Sequence, residues 1–222
     1  MPAPPMRIPL MGLPAFSKRV GGGLVGLTIV SGEPAVGKSD LVLQAAVEAQ
    51  RTIAVLYYDL DNGMPTIVEK LRRMVGDDLG RVHAATKQIY LRDSIRTLDS
   101  DLVHLPPPAL VVVDIFQALP TPTEYERQGL AHWIHRLGAL RRRGYVVLVV
   151  SEIARYMYGN VGIGAFKGSG EIEYAADLAC QMIPTTHGAE VYVVKNRHGP
   201  FKGLCTTLTR GRGLLWRETE GV

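Results

Sequence analysis

An apolar run, Leu24 to Val30 (LVGLTIV), leads at once into Gly32 to Ser39 (GEPAVGKS) and then into a helical pattern from roughly Lys38 to Ala49, which leaves few folds open. The spacing is G-x-x-x-x-G-K-S, the Walker A pattern, set in its proper context of strand, tight loop and helix. Gly32 and Gly37 let consecutive backbone N–H groups turn inward on anionic oxygens, which a Cβ would hinder. Lys38 reaches the β- and γ-phosphates as a point charge and Ser39 offers a hydroxyl to Mg²⁺. The helix adds the positive end of its dipole at the same place. Gly32, Glu33, Pro34, Ala35, Val36, Gly37, Lys38, Ser39 and Asp40 are therefore assigned to the nucleotide, with ATP and Mg²⁺ as the expected cofactors. The competing reading is a glycine-rich turn that happens to hold a lysine.

At 222 residues the chain supports one sizeable α/β core and hardly two. The expected organisation is a tail over 1–10 and a single domain over 11–222. With 46% hydrophobic and 21% charged residues, disordered and fibrous classes are excluded. A net charge of +4 permits a nucleic-acid partner without specifying one. Cys180 and Cys205 stand in apolar, strand-like stretches without a C-x-x-C neighbour, so they read as buried reduced thiols rather than zinc ligands or a disulfide. No run of about 18 apolar residues occurs, and MPAPPMRIPLMGLP is too proline-broken for a secretory signal. The expected setting is the cytoplasm, away from membranes.

Further strands are read at Ile53 to Tyr58 (IAVLYY), Gln88 to Leu91, Ala109 to Val113 (ALVVV) and Tyr145 to Val150 (YVVLVV), all β-branched or aromatic. Helices are read at Met64 to Met74, at Ser94 to Leu102 and at about Glu124 to Arg143, where Leu130, Trp133, Ile134 and Leu137 form one stripe. Three more β-like runs close the chain, at Leu178 to Ile183, Val191 to Val194 and Leu204 to Leu208. Strands alternating with helices imply a mostly parallel, twisted α/β sheet, and the final runs imply an antiparallel extension.

A hydrophobic strand ending in one carboxylate is what a Mg²⁺ site beside a P-loop requires, and VVVD supplies Asp114. A further acid is needed to polarise the attacking water. After IAVLYY the chain reads Asp59-Leu60-Asp61-Asn62-Gly63, and strand alternation puts both acids on one face, so either can point to the nucleotide. The alternative is that these acids open an N-G turn and cap the next helix.

The stretches GLTIVSGEPAVGKSDLVLQAA, VLYYDLD, LVVVD, VVLVVSE, KGSGEIEYAAD and KNRHGP, in this order, resemble RecA-fold motor ATPases, above all the ATPase domain of DnaB-type replicative helicases and bacterial RadA. The resemblance runs from about Gly12 to Arg217 and implies a RecA-like P-loop core. It places the catalytic glutamate of the group on Asp61, one methylene shorter, and the γ-phosphate sensor, usually glutamine, on Glu152. It places DNA-contacting loops between Arg155 and Lys167. It makes Lys195 and Arg197 the pair that reaches a neighbouring subunit's γ-phosphate, where such a finger stabilises developing charge; otherwise they are a solvated pair on an edge strand. A primase-binding domain, a zinc finger and a protease-like domain, known in these relatives, have no counterpart in the sequence.

What the resemblance implies is a homo-oligomeric ATPase, a hexameric ring or a filament, that moves on or remodels single-stranded DNA. A KaiC-like regulatory or scaffold ATPase with slow turnover is the alternative. Asp61 and Glu152 favour the second, KNRHGP and the glycine-rich segment before Lys167 the first. A small-molecule kinase explains none of the distal motifs.

Overall fold

The computed structural model describes residues 5–121, 126–162 and 174–219. In chain order the elements are β1 (Arg7–Ile8), α1 (Pro14–Arg19), β2 (Leu24–Val25), β3 (Leu27–Gly32), α2 (Lys38–Ala49), β4 (Ala54–Asp59), α3 (Met64–Val75), α4 (Leu79–Thr86), β5 (Ile89–Arg92), α5 (Leu98–His104), β6 (Ala109–Asp114), α6 (Glu126–Arg142), β7 (Val146–Glu152), β8 (Leu178–Thr185), β9 (Gly188–Asn196), β10 (Gly203–Arg210) and β11 (Trp216–Glu218). Among the described residues, nine strands form one sheet in the order β11-β10-β9-β8-β3-β7-β6-β4-β5. Strands from β8 to β5 in that order pair in parallel, while β9, β10 and β11 add antiparallel.

The parallel strands read as unbroken apolar runs because both faces are covered. Val30, Tyr57, Val112 and Leu148 pack on the side of α1, α2 and α3. Ile29, Tyr58, Val111, Val113 and Val149 pack on the other side, against Leu130, Trp133, Ile134 and Leu137 of α6. This is the helical stripe expected from the sequence, and its members are 0–6% exposed. The expected α/β architecture with an antiparallel extension is therefore present.

Local differences have local causes. The expected first strand divides at Gly26, so that β2 leaves the main sheet and pairs with β1. Arg7–Ile8, expected within a tail, are that partner, and Ile8 and Leu10 are 3% and 4% exposed. The segment expected as one helix from Ser94 is a short 3₁₀ turn, Ile95–Thr97, followed by α5. The strand that precedes Lys195 and Arg197 is not an edge: β9 lies between β8 and β10, and the sheet ends at β11 and β5. Cys180 and Cys205 are buried free thiols. Among the described residues, no helix is long and apolar enough to cross a membrane.

Candidate functional site

The parallel topology brings the C-terminal ends of β3, β4, β6 and β7 to one edge of the sheet, and the charged residues that the sequence singled out lie there. Between β3 and α2 the P-loop needs a left-handed residue at Gly37 (φ 95°), and a Cβ there would run into Trp216 Cζ2 at 2.6 Å and into the Arg210 guanidinium. An open cleft of about 470 Å³ adjoins the loop, lined among others by Gly37, Lys38, Ser39, Asp61, Lys70 and Glu152, a size suited to a small ligand. A groove of about 790 Å³ lies elsewhere, bounded by α1, α2 and β11.

Lys38 is 7% exposed rather than solvent-facing. Its Nζ donates to the carbonyls of Gly32 at 3.0 Å and Glu33 at 2.8 Å, which holds the ammonium beneath the loop. Burial lowers its pKa below the ordinary lysine value, opposed by the carboxylates of Glu152, Asp114, Asp61 and Glu33. Asp114 closes the floor, 1% exposed. Its Oδ1 accepts from Ser39 Oγ at 3.1 Å and its Oδ2 from Tyr57 OH at 3.0 Å. Burial pushes the Asp114 carboxyl up to about 6, opposed by these two hydrogen bonds and reinforced by Asp59, its partner across the β4–β6 ladder.

The two acids after β4 part company. Asp59 is 3% exposed and its Oδ1 accepts from Asn62 N and Nδ2, both at 3.1 Å, so it caps the N-G turn. Its Oδ2 is buried without a hydrogen-bond partner. Asp61 is exposed and lies in the cleft wall with Lys38 and Glu152. Glu152 is anchored through its backbone N–H, which donates to Gln117 Oε1 at 3.1 Å. The oxygen donors Ser39 Oγ and Asp114, with the unpartnered Asp59 Oδ2 nearby, suit a hard cation such as Mg²⁺. Among the described residues no three His, Cys, Asp or Glu side chains converge to cage a metal. That fits a cation carried largely by phosphate oxygens.

Three residues of the cleft escaped sequence reasoning. Asp40 pairs with Lys70 at 3.2 Å and with Arg210 at 2.6 Å, so its carboxylate is neutralised instead of repelling phosphate. The Arg210 guanidinium stands 4.0 Å over the Trp216 ring, and Trp216 Nε1 donates to Gly37 O at 3.1 Å. Arg210 lies 170 residues beyond Asp40, and only the antiparallel return of β10 brings them together. A carboxylate on a P-loop helix with no nearby cation in sequence is the one clue available.

Arg155 sits exposed on the turn Arg155–Met157 after β7, next to Tyr156, which is 77% exposed. This segment touches the P-loop, since Gly159 N donates to Glu33 Oε1 at 2.8 Å. Lys167 lies outside the described residues. Lys195 and Arg197 are at the opposite end of the sheet: Asn196 is in register with Leu178, and Leu178 with Thr28, four residues before Gly32. At about 3.3 Å per residue, roughly 13 Å of strand separates them from the loop. Lys195 Nζ and Arg197 NH2 donate to Tyr174 O at 2.8 and 2.9 Å.

A family model described as AAA domain matches residues 12–153. The DNA repair protein RadA of Mycobacterium tuberculosis (strain CDC 1551 / Oshkosh) is 29% identical over 196 residues, covering 85% of this chain and 39% of its own length. RadA of Chlamydia pneumoniae is 24% identical over 209 residues, covering 90% of this chain and 43% of that protein. The chain thus spans about two fifths of the length of these relatives. Among solved structures, an isolated ATPase domain superposes with a TM-score of 0.79 at 16% identity, over 97% of this chain and 92% of that one. A DnaB-like replicative helicase, solved in a study of its interactions with primase, gives 0.76 at 17% identity, over 88% and 57%. The fold is accordingly the RecA-like one of helicase ATPase domains.

Proposed function

Because the chain belongs to the AAA domain family, as a match over residues 12–153 shows, we propose that it is an ATP-hydrolysing, DNA-acting protein whose active site is completed by a second copy of itself. The observation that carries this reading is the division of the charged residues between two sheet edges. Lys38, Ser39, Asp61, Asp114 and Glu152 surround one cleft, while Lys195 and Arg197 stand at the far edge, out of reach of it. On this reading residues 11–222 act as one ATPase domain in the cytoplasm, assembled as a hexameric ring or filament on single-stranded DNA.

Lys38 and the inward N–H groups of the loop bind the β- and γ-phosphates. Ser39 and Asp114 would hold Mg²⁺, which when bound neutralises charge on those oxygens. Asp61 orients the attacking water and accepts its proton, because it is the acid after β4 that faces the cleft while Asp59 is spent on the turn. Glu152, at the end of β7, follows the γ-phosphate. Lys195 and Arg197 serve a neighbour's nucleotide, stabilising charge in the transition state. Arg155, with Lys167 as its expected companion, contacts the DNA backbone, and the Gly159–Glu33 hydrogen bond supports this by joining that segment to the P-loop. The relatives known as DNA repair protein RadA point the same way.

A second reading, a KaiC-like scaffold in which ATP holds subunits together, draws on the short Asp61 and on the carboxylate of Glu152 where an amide is usual. ATP turnover with and without single-stranded DNA, on protein whose assembly state is measured in the same buffer, separates the two. DNA-stimulated turnover by an oligomer is expected. Slow, DNA-indifferent turnover by an oligomer selects the scaffold, and full turnover by a monomer refutes both.

A further inference from the structure

The side chain of Asp177 is only 4% exposed, yet several cationic groups meet it. Arg141 NH1, from the last turn of α6, lies 2.9 Å from both of its oxygens, and Arg197 NH1 lies 3.1 Å from Oδ1. His198 Nε2 stands 3.5 Å from the same oxygen. The carboxylate also accepts from Leu27 N at 2.9 Å, at the first residue of the strand that ends in the P-loop. Gly26 (φ 52°) allows this approach, since a Cβ there would collide with Oδ2. The backbone agrees, with Arg197 N donating to Asp177 O at 2.7 Å.

A lone buried carboxylate paired with a single arginine would resist giving that arginine up, because it would be left charged and uncompensated. Here Arg141 stays on the carboxylate whatever Arg197 does. Arg197 is 40% exposed, and its two acceptors, Asp177 and Tyr174 O, engage a group with five N–H donors. The guanidinium is thus oriented at its base while part of it faces outward.

We propose that Asp177 is the positioning residue of the shared active site: it aims Arg197 toward the nucleotide of the adjoining copy, with Arg141 as the fixed counter-cation that lets Arg197 engage phosphate. This rests on the reading of Arg197 as a finger acting in trans. The partner recognised is a second copy of this chain carrying a nucleoside triphosphate.

Asp177→Asn keeps an oxygen for Leu27 N and removes the charge. Since an ångström of misplacement costs about 10²-fold, turnover per chain is expected to fall by about that factor while ATP affinity stays within about twofold. Mixing this variant with Lys38→Ala then locates the defect. The Lys38→Ala chain has intact Asp177 and Arg197 but no working P-loop, so turnover should return where its finger meets the intact P-loop of Asp177→Asn. An effect confined to its own chain through β3 gives no rescue and overturns the proposal, as does turnover that is unchanged or raised. Arg197→Ala mixed with Lys38→Ala is the control. If it is fully active alone or is not rescued, the trans finger itself fails; if it is rescued and Asp177→Asn is not, only the present inference fails. Should Asp177→Asn not fold, Arg141→Gln, changed at a residue 27% exposed, tests the same point. With Arg197 left as the sole arginine on the carboxylate, turnover should fall with ATP affinity kept and should be rescued by Lys38→Ala. Full turnover of Arg141→Gln refutes the counter-cation.

Discussion

Asp114 should make the free protein less stable than it need be, and the size of the effect follows from its surroundings. Burial raises its carboxyl from an ordinary 3.8 to about 6, despite hydrogen bonds from Ser39 and Tyr57. A group whose folded pKa is raised contributes stability that is complete below its unfolded pKa and is lost as pH rises through the folded one. The window here runs from about pH 4 to a little above pH 6. At about 1.4 kcal/mol for each pH unit, the loss amounts to ~3 kcal/mol by pH 7.5. Asp114→Asn keeps the shape and a partner for Ser39 and Tyr57 but carries no charge. In urea unfolding, its stability relative to wild type should climb by ~3 kcal/mol between pH 4 and pH 7 and then level off. Taking the difference between two proteins cancels the other titrating groups, which are common to both. Saturating Mg²⁺ and ATP should stabilise the wild type and not the variant. A difference that does not change with pH, or a variant less stable than wild type at pH 7.5, would refute the electrostatic argument.

Lys38→Ala should lose ATP binding and turnover with little change in melting temperature, since a buried lysine is held at a desolvation cost; unchanged hydrolysis by a folded variant would remove the P-loop from the mechanism. Asp61→Asn should bind ATP normally and cut turnover about 10²-fold or more, while Asp59→Asn should act mainly through the turn that Asp59 caps; the opposite ranking in steady-state kinetics would transfer the role to Asp59. DNA affinity should fall linearly on a log scale with salt, and Arg155→Ala should reduce the slope by about 0.7, one single-strand phosphate contact. A slope unchanged by that substitution would take Arg155 off the DNA.

The sheet was legible wherever a strand is buried on both faces, as in LTIVSG, ALVVVD and VVLVVSE, because continuous β-branched runs between turns have few other homes. The P-loop was legible for a stricter reason, each residue being set by what a phosphate needs. Marginal elements were not. No residue of α4 is buried, so no stripe betrays it, and its capping residue Asp78 accepts from Arg81 N as the only local signal. Strand β11 has three residues, and β1 two, held by their partners and not by pattern. Within the site, the split between Asp59 and Asp61 depends on how tightly the chain turns after β4, which alternation along a strand does not describe. Arg210 and Trp216 reach the cleft through a hairpin that returns from the far side of the sheet, and Asp177 gathers Arg141, Arg197 and the start of β3 across three separate segments. Contacts of this range are made by topology.

The most direct test of a site shared between copies is ATP turnover per chain measured against protein concentration, with saturating single-stranded DNA and with mass measured at each point. Turnover per chain is expected to be negligible for the monomer and to rise steeply over the range in which chains assemble. Turnover per chain that stays constant from monomer to oligomer would contradict the account, because the cleft around Lys38 would then need nothing from Arg197 of another copy.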